Sequence, residues 1–126
     1  MKRKKILVVE DDNSIRMLLS CLLSKQYEVT TKKNGLEGMK WLDFGNLPDA
    51  ILTDINMPGF DGFSFLKNVR QSGFFSSIPV IALSGTERSG EMKRFLEMGG
   101  NDFLPKPFDP SLLFNVLNKH IGDKQQ

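Results

Sequence analysis

The segment DAILTDINMPGFDG, residues 49–62, carries the pattern that decides the fold. Residues 50–53 form a short apolar and β-branched run, which predicts a buried strand. Asp54 ends this run, and the turn-forming residues 56–59, Asn-Met-Pro-Gly, follow almost at once. The segment therefore predicts a strand that presents one carboxylate, Asp54, at its carboxyl end.

Four more short apolar runs lie on either side of this segment, at residues 6–9, 27–30, 79–83 and 102–104. Segments with helical periodicity separate the five predicted strands. The first helix has an apolar stripe at i, i+3, i+4 and i+7, made of Ile15, Leu18, Leu19 and Leu22. Asp12 or Asn13 can cap this helix at its first turn. Strands that alternate with helices predict an α/β fold, a doubly wound parallel sheet with helices on both faces.

The length and composition fit one globular domain. The chain has 126 residues, of which 40% are hydrophobic and 25% are charged. We expect a single domain over residues 1–126, with a core of about residues 4–122 and no output domain. The net charge of +2 gives no basis for nucleic-acid binding. No apolar run reaches the roughly 18 residues needed to span a membrane.

The amino-terminal residues and the single cysteine indicate in which cellular compartment the protein is expected. The basic start MKRKK precedes an apolar run that ends at Val9 and is followed by acidic residues, unlike a secretion signal. One cysteine, Cys21, excludes an internal disulfide and is typical of a reducing cytoplasm. Because Cys21 lies among four leucines, we expect it to be a small buried side chain.

Polar residues follow the predicted strands at their carboxyl ends, where ligands bind in open α/β sheets. The set consists of Glu10 and Asp11 after the first strand, Asp54 after the third, Ser84 after the fourth and Lys106 after the fifth. Converging carboxylates repel one another, and oxygen ligands without histidine or cysteine suit Mg²⁺. A carboxylate beside Mg²⁺, a lysine and a hydroxyl suits phosphoryl transfer, because the cations neutralise the phosphoryl oxygens while the carboxylate attacks.

Four sequence blocks at these strand ends resemble one family, the receiver domain of two-component response regulators, including the chemotaxis regulators. The blocks are ILVVEDD (6–12), DAILTDINMPGFDG (49–62), PVIALSG (79–85) and DFLPKPF (102–108), in order and at matching intervals. The resemblance covers nearly the whole chain and implies a flavodoxin-like fold, with five strands in the order 2-1-3-4-5 and five helices. It also implies a cytoplasmic phosphoprotein that acts in signal transduction or a phosphorelay.

The resemblance assigns a chemical role to the strand-end residues. Asp54 would be the phospho-acceptor, and Lys106 would pair with the phosphoryl group. Glu10 and Asp11 would be metal ligands, together with Asp54 and the backbone carbonyl of Asn56. The metal would be Mg²⁺, for which Mn²⁺ could substitute. The peptide between Lys106 and the following proline is expected to be cis, as in the family.

Further positions would control the switch. Ser84 matches the family's switch hydroxyl and Phe103 its switch aromatic. Phe103 replaces the usual tyrosine and lacks the phenolic donor, so switching would rely on burial of the ring. Asn56 and Thr86, which lie next to the site, would tune the lifetime of the phosphoryl group.

The resemblance also implies partners and a mode of action. A phospho-histidine on a histidine kinase or a histidine phosphotransfer protein would donate its phosphoryl group to Asp54. The face formed by the fourth helix, fifth strand and fifth helix would then change its affinity for a downstream protein or a detached output domain. The domain would catalyse its own phosphorylation and dephosphorylation without being a multiple-turnover enzyme. Nucleic acid and membrane are not expected as direct partners.

Two other functions stay open at this point. A phosphohydrolase of the aspartyl-phosphate type would need a second acid two residues after the nucleophile, where this chain has Asn56. A receiver-like scaffold that works without phosphate would have no need of Asp54, Lys106 and the acidic pair. One further residue, His120, lies late in the last helix without an acidic residue at useful spacing, and we expect it to face solvent.

Overall fold

The helices and strands alternate along the whole of the described chain. The computed structural model describes residues 3–85 and 89–121. The elements within these residues are β1 Lys5–Val9, α1 Asn13–Leu23, β2 Glu28–Lys32, α2 Gly35–Asp43, β3 Ala50–Asp54, α3 Gly62–Gln71, β4 Val80–Ser84, α4 Ser89–Glu97, β5 Asp102–Pro105 and α5 Pro110–Ile121. No helix among these residues is long and apolar enough to cross a bilayer.

The strands form one parallel sheet in the order β2-β1-β3-β4-β5. Ile6 of β1 lies beside Ala50 of β3, and Ile51 of β3 lies beside Val80 of β4. Since all strands run the same way, their carboxyl ends lie along one edge of the sheet. The predicted α/β fold class, the strand order and the five flanking helices are thus confirmed.

The two faces of the sheet carry two core layers, because side chains alternate along each strand. In β1, Leu7 and Val9 contribute to the layer under α2, α3 and α4. Ile6 and Val8 contribute to the layer under α1 and α5. All four side chains are fully buried, as expected for a parallel sheet covered on both faces.

The buried face of α1 differs from the predicted stripe. Leu19 and Leu23 are fully buried, whereas Leu18 is 50% exposed. Cys21 is exposed, so the prediction that it is buried is wrong. The helix packs on the sheet mainly through Leu19 and Leu23, with Ile15 and Leu22 partly buried against the same layer. Leucines around a cysteine do not reveal which side of a helix faces the core. Asp12 is the amino-terminal cap, since its Oδ1 accepts the Ile15 N–H at 3.0 Å.

Candidate functional site: an acidic crevice at the strand ends

The strand ends bring together the polar side chains that the sequence singled out. Asp54 is the last residue of β3, and Ser84 is the last residue of β4. Glu10 directly follows β1, and its N–H donates to the Lys32 carbonyl of β2 at 3.0 Å. Lys106 directly follows β5, and its N–H donates to the Ser84 carbonyl at 2.7 Å. The parallel sheet therefore places all four residues at one edge.

Three carboxylates form a cluster within this edge. Oxygen atoms of Glu10, Asp11 and Asp54 all lie within 4.8 Å of one another. Glu10 is fully buried and Asp54 is 4% exposed, whereas Asp11 is exposed. Two of the three negative charges are thus removed from water, which is unfavourable unless cations balance them. An all-oxygen set of this kind suits a hard divalent cation, and the cluster can hold a metal ion.

Lys106 provides one balancing charge. Its Nζ lies 2.9 Å from Glu10 Oε1 and 3.3 Å from Asp54 Oδ1, and its side chain is only 15% exposed. The Lys106–Pro107 peptide is cis, as the sequence resemblance implied. The ammonium group therefore bridges the carboxylate of Asp54 and one member of the acidic pair.

The surroundings within the cluster raise the pKa values of both Asp54 and Lys106. Burial, followed by the negative charge of Glu10, raises the pKa of Asp54 to about 7, although Lys106 opposes the shift. Burial alone would lower the pKa of Lys106, but contacts with Glu10 and Asp54 outweigh it and raise that pKa overall. The lysine stays charged, whereas the aspartate exchanges its proton near neutral pH.

The remaining predicted positions differ in their surroundings. Ser84 is 2% exposed, and Phe103 is partly buried against the core layer that contains Phe95. The side chain of Asn56 is exposed, two residues beyond Asp54. Thr86, the second position predicted to tune the phosphoryl lifetime, lies outside the described residues.

A close approach of α3 to the backbone of Asp54 was not predicted from the sequence. Gly62, the first residue of α3, donates its N–H to the Ile55 carbonyl at 2.9 Å. A Cβ at Gly62 would lie 2.5 Å from the carbonyl oxygen of Asp54 and 2.7 Å from Cα of Ile55. Glycine is required here because the helix rests directly on the peptide that carries Asp54. The glycine in the quoted segment, three residues after the Pro-Gly turn, was the available signal.

Arg16 and His120 also have contacts that sequence reasoning missed. Arg16 Nη1 donates to the Glu10 carbonyl at 2.8 Å. His120 Nε2 lies 2.9 Å from Asp102 Oδ2, and the His120 side chain is only 16% exposed. The expectation that His120 faces solvent without an acidic partner is therefore wrong. Asp102 lies 18 residues earlier in the chain, where helical spacing cannot indicate it.

The strand order and the position of the acidic crevice define a class of protein, the doubly wound α/β domains with a site at the strand ends. Residues 6–118 match the family model of the response regulator receiver domain. The chain belongs to the family of response regulator receiver domains, so the resemblance seen in its sequence is confirmed.

Relatives from several bacteria share this sequence and fold. Response regulator PleD of Caulobacter vibrioides is 36% identical over 111 residues, which cover 87% of this chain and 24% of PleD. The chain thus spans about a quarter of that relative. Chemotaxis protein CheY4 of Vibrio cholerae is 31% identical with a TM-score of 0.88, and the match covers 94% of this chain and 98% of CheY4.

A third relative has a metal ion in its site. The receiver domain of sensor histidine kinase PA1611 from Pseudomonas aeruginosa PAO1 is 30% identical, with a TM-score of 0.87. The match covers 95% of this chain and 98% of that domain, whose structure has a magnesium ion coordinated in the active-site cleft.

Proposed function

We propose that this domain is a phosphorylation-controlled signalling switch in which Asp54 accepts a phosphoryl group from a phospho-histidine. The observation that carries the proposal is the buried Asp54 carboxylate, held between Lys106 and the acidic pair at the carboxyl edge of the sheet. An Asp54 oxygen attacks phosphorus, the bond between phosphorus and the histidine nitrogen breaks, and the imidazole leaves. Membership of the receiver family supports this chemistry.

Lys106 and Ser84, which lie at the ends of β5 and β4, act on different oxygens of the phosphoryl group. The ammonium of Lys106, now shared between Glu10 and Asp54, pairs with a phosphoryl oxygen after transfer. The Ser84 hydroxyl, at the end of the neighbouring strand, donates a hydrogen bond to another oxygen. Both residues lie at strand ends, on the edge of the sheet that also holds Asp54.

Mg²⁺ is the metal that best fits the acidic cluster, and Mn²⁺ would substitute for it. Glu10, Asp11, Asp54 and the backbone carbonyl of Asn56 would hold it, since all are hard oxygen donors. Two buried carboxylates share one lysine, which leaves negative charge for a cation to offset. When bound, Mg²⁺ supplies positive charge that balances the phosphoryl oxygens.

The phosphodonor is a histidine kinase or a histidine phosphotransfer protein, and the exchange takes place in the cytoplasm, where such donors are charged from ATP. An apolar groove of about 340 Å³ lies beside Lys106 and supports docking of a donor next to the site. Leu18 and Ile15 of α1 form one wall of this groove, and Phe108 forms part of the other. Exposed apolar residues at this place suit a protein partner.

Phosphorylation is read out on the face formed by α4, β5 and α5. The added charge draws Ser84 towards the phosphoryl group and lets the partly buried Phe103 ring turn further inward. Met92 and Leu96 on α4 are 37% and 44% exposed, so this face offers apolar contacts to a downstream protein or a detached output domain. Asn56, whose side chain is exposed two residues beyond Asp54, and Thr86, which lies outside the described residues, tune the lifetime of the phosphoryl group in this proposal.

The proposal is tested by incubating the chain with Mg²⁺ and a small phosphodonor such as acetyl phosphate, followed by intact-mass measurement. We expect a single added phosphoryl group that requires Mg²⁺ and that Asp54→Asn abolishes. Asp43→Asn, which alters an exposed carboxylate at the end of α2, should leave labelling intact. Labelling that persists in Asp54→Asn would refute the assignment. Multiple turnover of organic phosphates would instead indicate a hydrolase, and complete absence of labelling a scaffold.

A further inference from the structure

Arg16, on the first turn of α1, binds the backbone of the loop that carries the acidic pair. Its Nη1 lies 2.8 Å from the Glu10 carbonyl oxygen and 3.5 Å from that of Asp11. Its Nη2 also contacts Oδ1 of Asn13. Within the described residues, no ion pair of 4 Å or less joins Arg16 to a carboxylate. The guanidinium therefore acts on peptide groups, and the carboxylates beside it remain available to other partners.

The other polar groups of Glu10 are also held in place. Its N–H donates to Lys32 of β2, and its Oε1 lies 2.9 Å from Lys106 Nζ. Its Oε2 accepts the Asp12 N–H at 3.1 Å. The carbonyl bound by Arg16 belongs to the peptide between Glu10 and Asp11, and the orientation of that peptide sets the direction of both side chains. A contact at this carbonyl thus bears on the geometry of the whole acidic pair.

We propose that Arg16 is a positioning residue for the metal-assisted phosphorylation of Asp54. It fixes the Glu10–Asp11 peptide so that the two carboxylates face one cation together. The planar fork of arginine suits the task because one side chain reaches two carbonyls and an amide oxygen at fixed angles, which a lysine ammonium cannot match. The inference rests on the proposed function, since it concerns binding of the same metal.

If Arg16 acted only through its charge, its effect on metal affinity would be the opposite of the effect expected from positioning. A positive charge near the cluster repels a divalent cation, so removal of the charge would strengthen metal binding. If Arg16 positions the metal ligands, its removal should weaken metal binding. Replacement by lysine, which keeps the charge, should weaken metal binding as well. Partners that orient metal ligands change metal affinity by about 10- to 100-fold when they are replaced.

Arg70 provides a matched control within the same chain. It binds the carbonyls of Gly99 at 2.9 Å and Ile78 at 2.8 Å, together with Asn101 Oδ1 at 2.6 Å. This arrangement repeats that of Arg16, with two carbonyls and one asparagine oxygen. It lies near the start of β4 and β5, at the edge of the sheet opposite the acidic cluster. Loss of Arg70 should therefore affect stability without changing the metal site.

The experiment compares the full chain with its Arg16→Lys, Arg16→Gln and Arg70→Lys variants. Mg²⁺ affinity is measured by titration of backbone amide signals in NMR spectra, and the melting temperature is measured for each protein. Hydrogen exchange of the Asp12 amide, which donates to Glu10, is followed without metal. We expect both Arg16 variants to bind Mg²⁺ about tenfold more weakly and to exchange the Asp12 amide faster. Arg70→Lys should melt earlier but keep its Mg²⁺ affinity.

Three results would overturn the positioning role. Arg16→Lys could bind Mg²⁺ as the wild type does while it melts earlier, which would show that Arg16 is only structural. Arg16→Gln could bind Mg²⁺ more tightly, which would favour charge repulsion. The wild type could fail to bind Mg²⁺ at all, and that result would refute the metal-assisted function itself, so the two failures are distinguishable.

Discussion

Asp54 has two properties that suit the proposed phospho-acceptor role, namely burial beside the Lys106 ammonium and a carboxylate that can ionise near neutral pH. Its pKa is raised to about 7, first by burial and second by the negative charge of Glu10. In the proposed reaction only the ionised carboxylate attacks phosphorus. A pKa of about 7 means that ionised and protonated Asp54 coexist near neutral pH in the metal-free domain. A bound cation would shift this balance towards the reactive form.

The raised pKa predicts that the metal-free protein loses stability as the pH rises. The native state keeps the Asp54 proton to about pH 7, whereas the unfolded chain releases it near the ordinary value of 3.8. The native state therefore binds more protons between these values, and stability falls as the pH rises through that window. Asp54→Asn removes this contribution and should gain stability relative to the wild type, by at most about 4 kcal/mol at about pH 8, since the difference between pKa values of about 7 and 3.8 corresponds to about 1.4 kcal/mol per unit.

Urea unfolding of both proteins between about pH 4 and pH 8 measures this difference, which should shrink towards the acidic end. Asp43→Asn serves as the control and should leave the pH dependence of the wild type unchanged. A constant difference between Asp54→Asn and the wild type at every pH would contradict the prediction. Saturating Mg²⁺ should stabilise the wild type more at high pH than at low pH, because protons compete with the metal.

Lys106 should couple phosphorylation to the rest of the sheet. In Lys106→Ala we expect Asp54 still to accept a phosphoryl group, more slowly, while the amide signals of β5 and Phe103 respond much less than in the wild type. The reason is that the ammonium, which lies 3.3 Å from Asp54 Oδ1, belongs to the residue that directly follows β5. NMR spectra before and after phosphorylation provide the measurement. An undiminished response of Phe103 would remove Lys106 from the switching mechanism.

The sequence predicts the residues of the site better than it predicts their contacts. Asp54, Ser84 and Lys106 stand out because each follows an apolar run, and the ends of parallel strands meet at one edge. Arg16 binds backbone carbonyls, which every residue carries, so no residue pattern points to it. The partner of His120 lies on another element, and only the packing of α5 on the sheet brings the two together.

At the scale of single elements, the start of α3 depends on a glycine that allows the helix to rest on the Asp54 peptide. In Gly62→Ala the new methyl group would meet backbone atoms at 2.5 and 2.7 Å, so the helix or the strand end must move. We expect a loss of about 2 kcal/mol or more and slower phosphorylation of Asp54. Thermal unfolding and the rate of labelling by a small phosphodonor measure the two effects.

Gly90 in α4 is the matched control for Gly62. Among the described residues, apart from its chain neighbours and the backbone of its own helix, nothing lies within 4 Å of a Cβ placed there. Gly90→Ala should therefore change stability by no more than about 0.5 kcal/mol, because Gly90 is the second residue of α4 and alanine meets no steric obstacle there. An equal effect of the two substitutions would contradict the role of close packing at α3.

The contact between β5 and α5 provides a further test. Asp102 Oδ2 lies 2.9 Å from His120 Nε2, while its Oδ1 accepts the N–H of Phe103. His120→Ala should lower stability by about 1 kcal/mol, since it leaves a half-buried carboxylate without its nearest partner. Lys119→Ala should cost less than about 0.5 kcal/mol, because that ammonium is 71% exposed and 3.8 Å from the same oxygen. Chemical unfolding of both variants measures the difference, and equal effects would contradict the assignment.

The wrongly predicted buried face of α1 shows what the sequence of a single helix cannot determine. Its leucines occupy two sides of the helix, and periodicity alone favoured a stripe that includes Leu18. In the folded chain Leu19 and Leu23 are buried, while Leu18 and Cys21 remain exposed. The sheet selects one side through the shape of its surface, and that choice depends on residues far away in the chain.

At the scale of the whole molecule, the parallel sheet connects the acidic site to the face formed by α4, β5 and α5, which is the proposed binding surface for partners. The acidic cluster and Lys106 lie at one edge of the sheet, and β5 connects this edge to α4 and α5. The order of strands and the alternation of elements were predictable because they follow from general rules of chain connection. In the proposed mechanism, a change in charge at Asp54 shifts the population between two packings of the same sheet and helices.

Reductive trapping after phosphorylation is the most direct test of the central claim, that Asp54 carries the phosphoryl group. The chain is treated with a small phosphodonor and Mg²⁺, the acyl phosphate is reduced with borohydride, and peptides are sequenced by mass spectrometry. The account predicts one modified position, with homoserine in place of the aspartate at residue 54. Homoserine at another aspartate, or an unmodified Asp54 in a chain that carries the label, would contradict it.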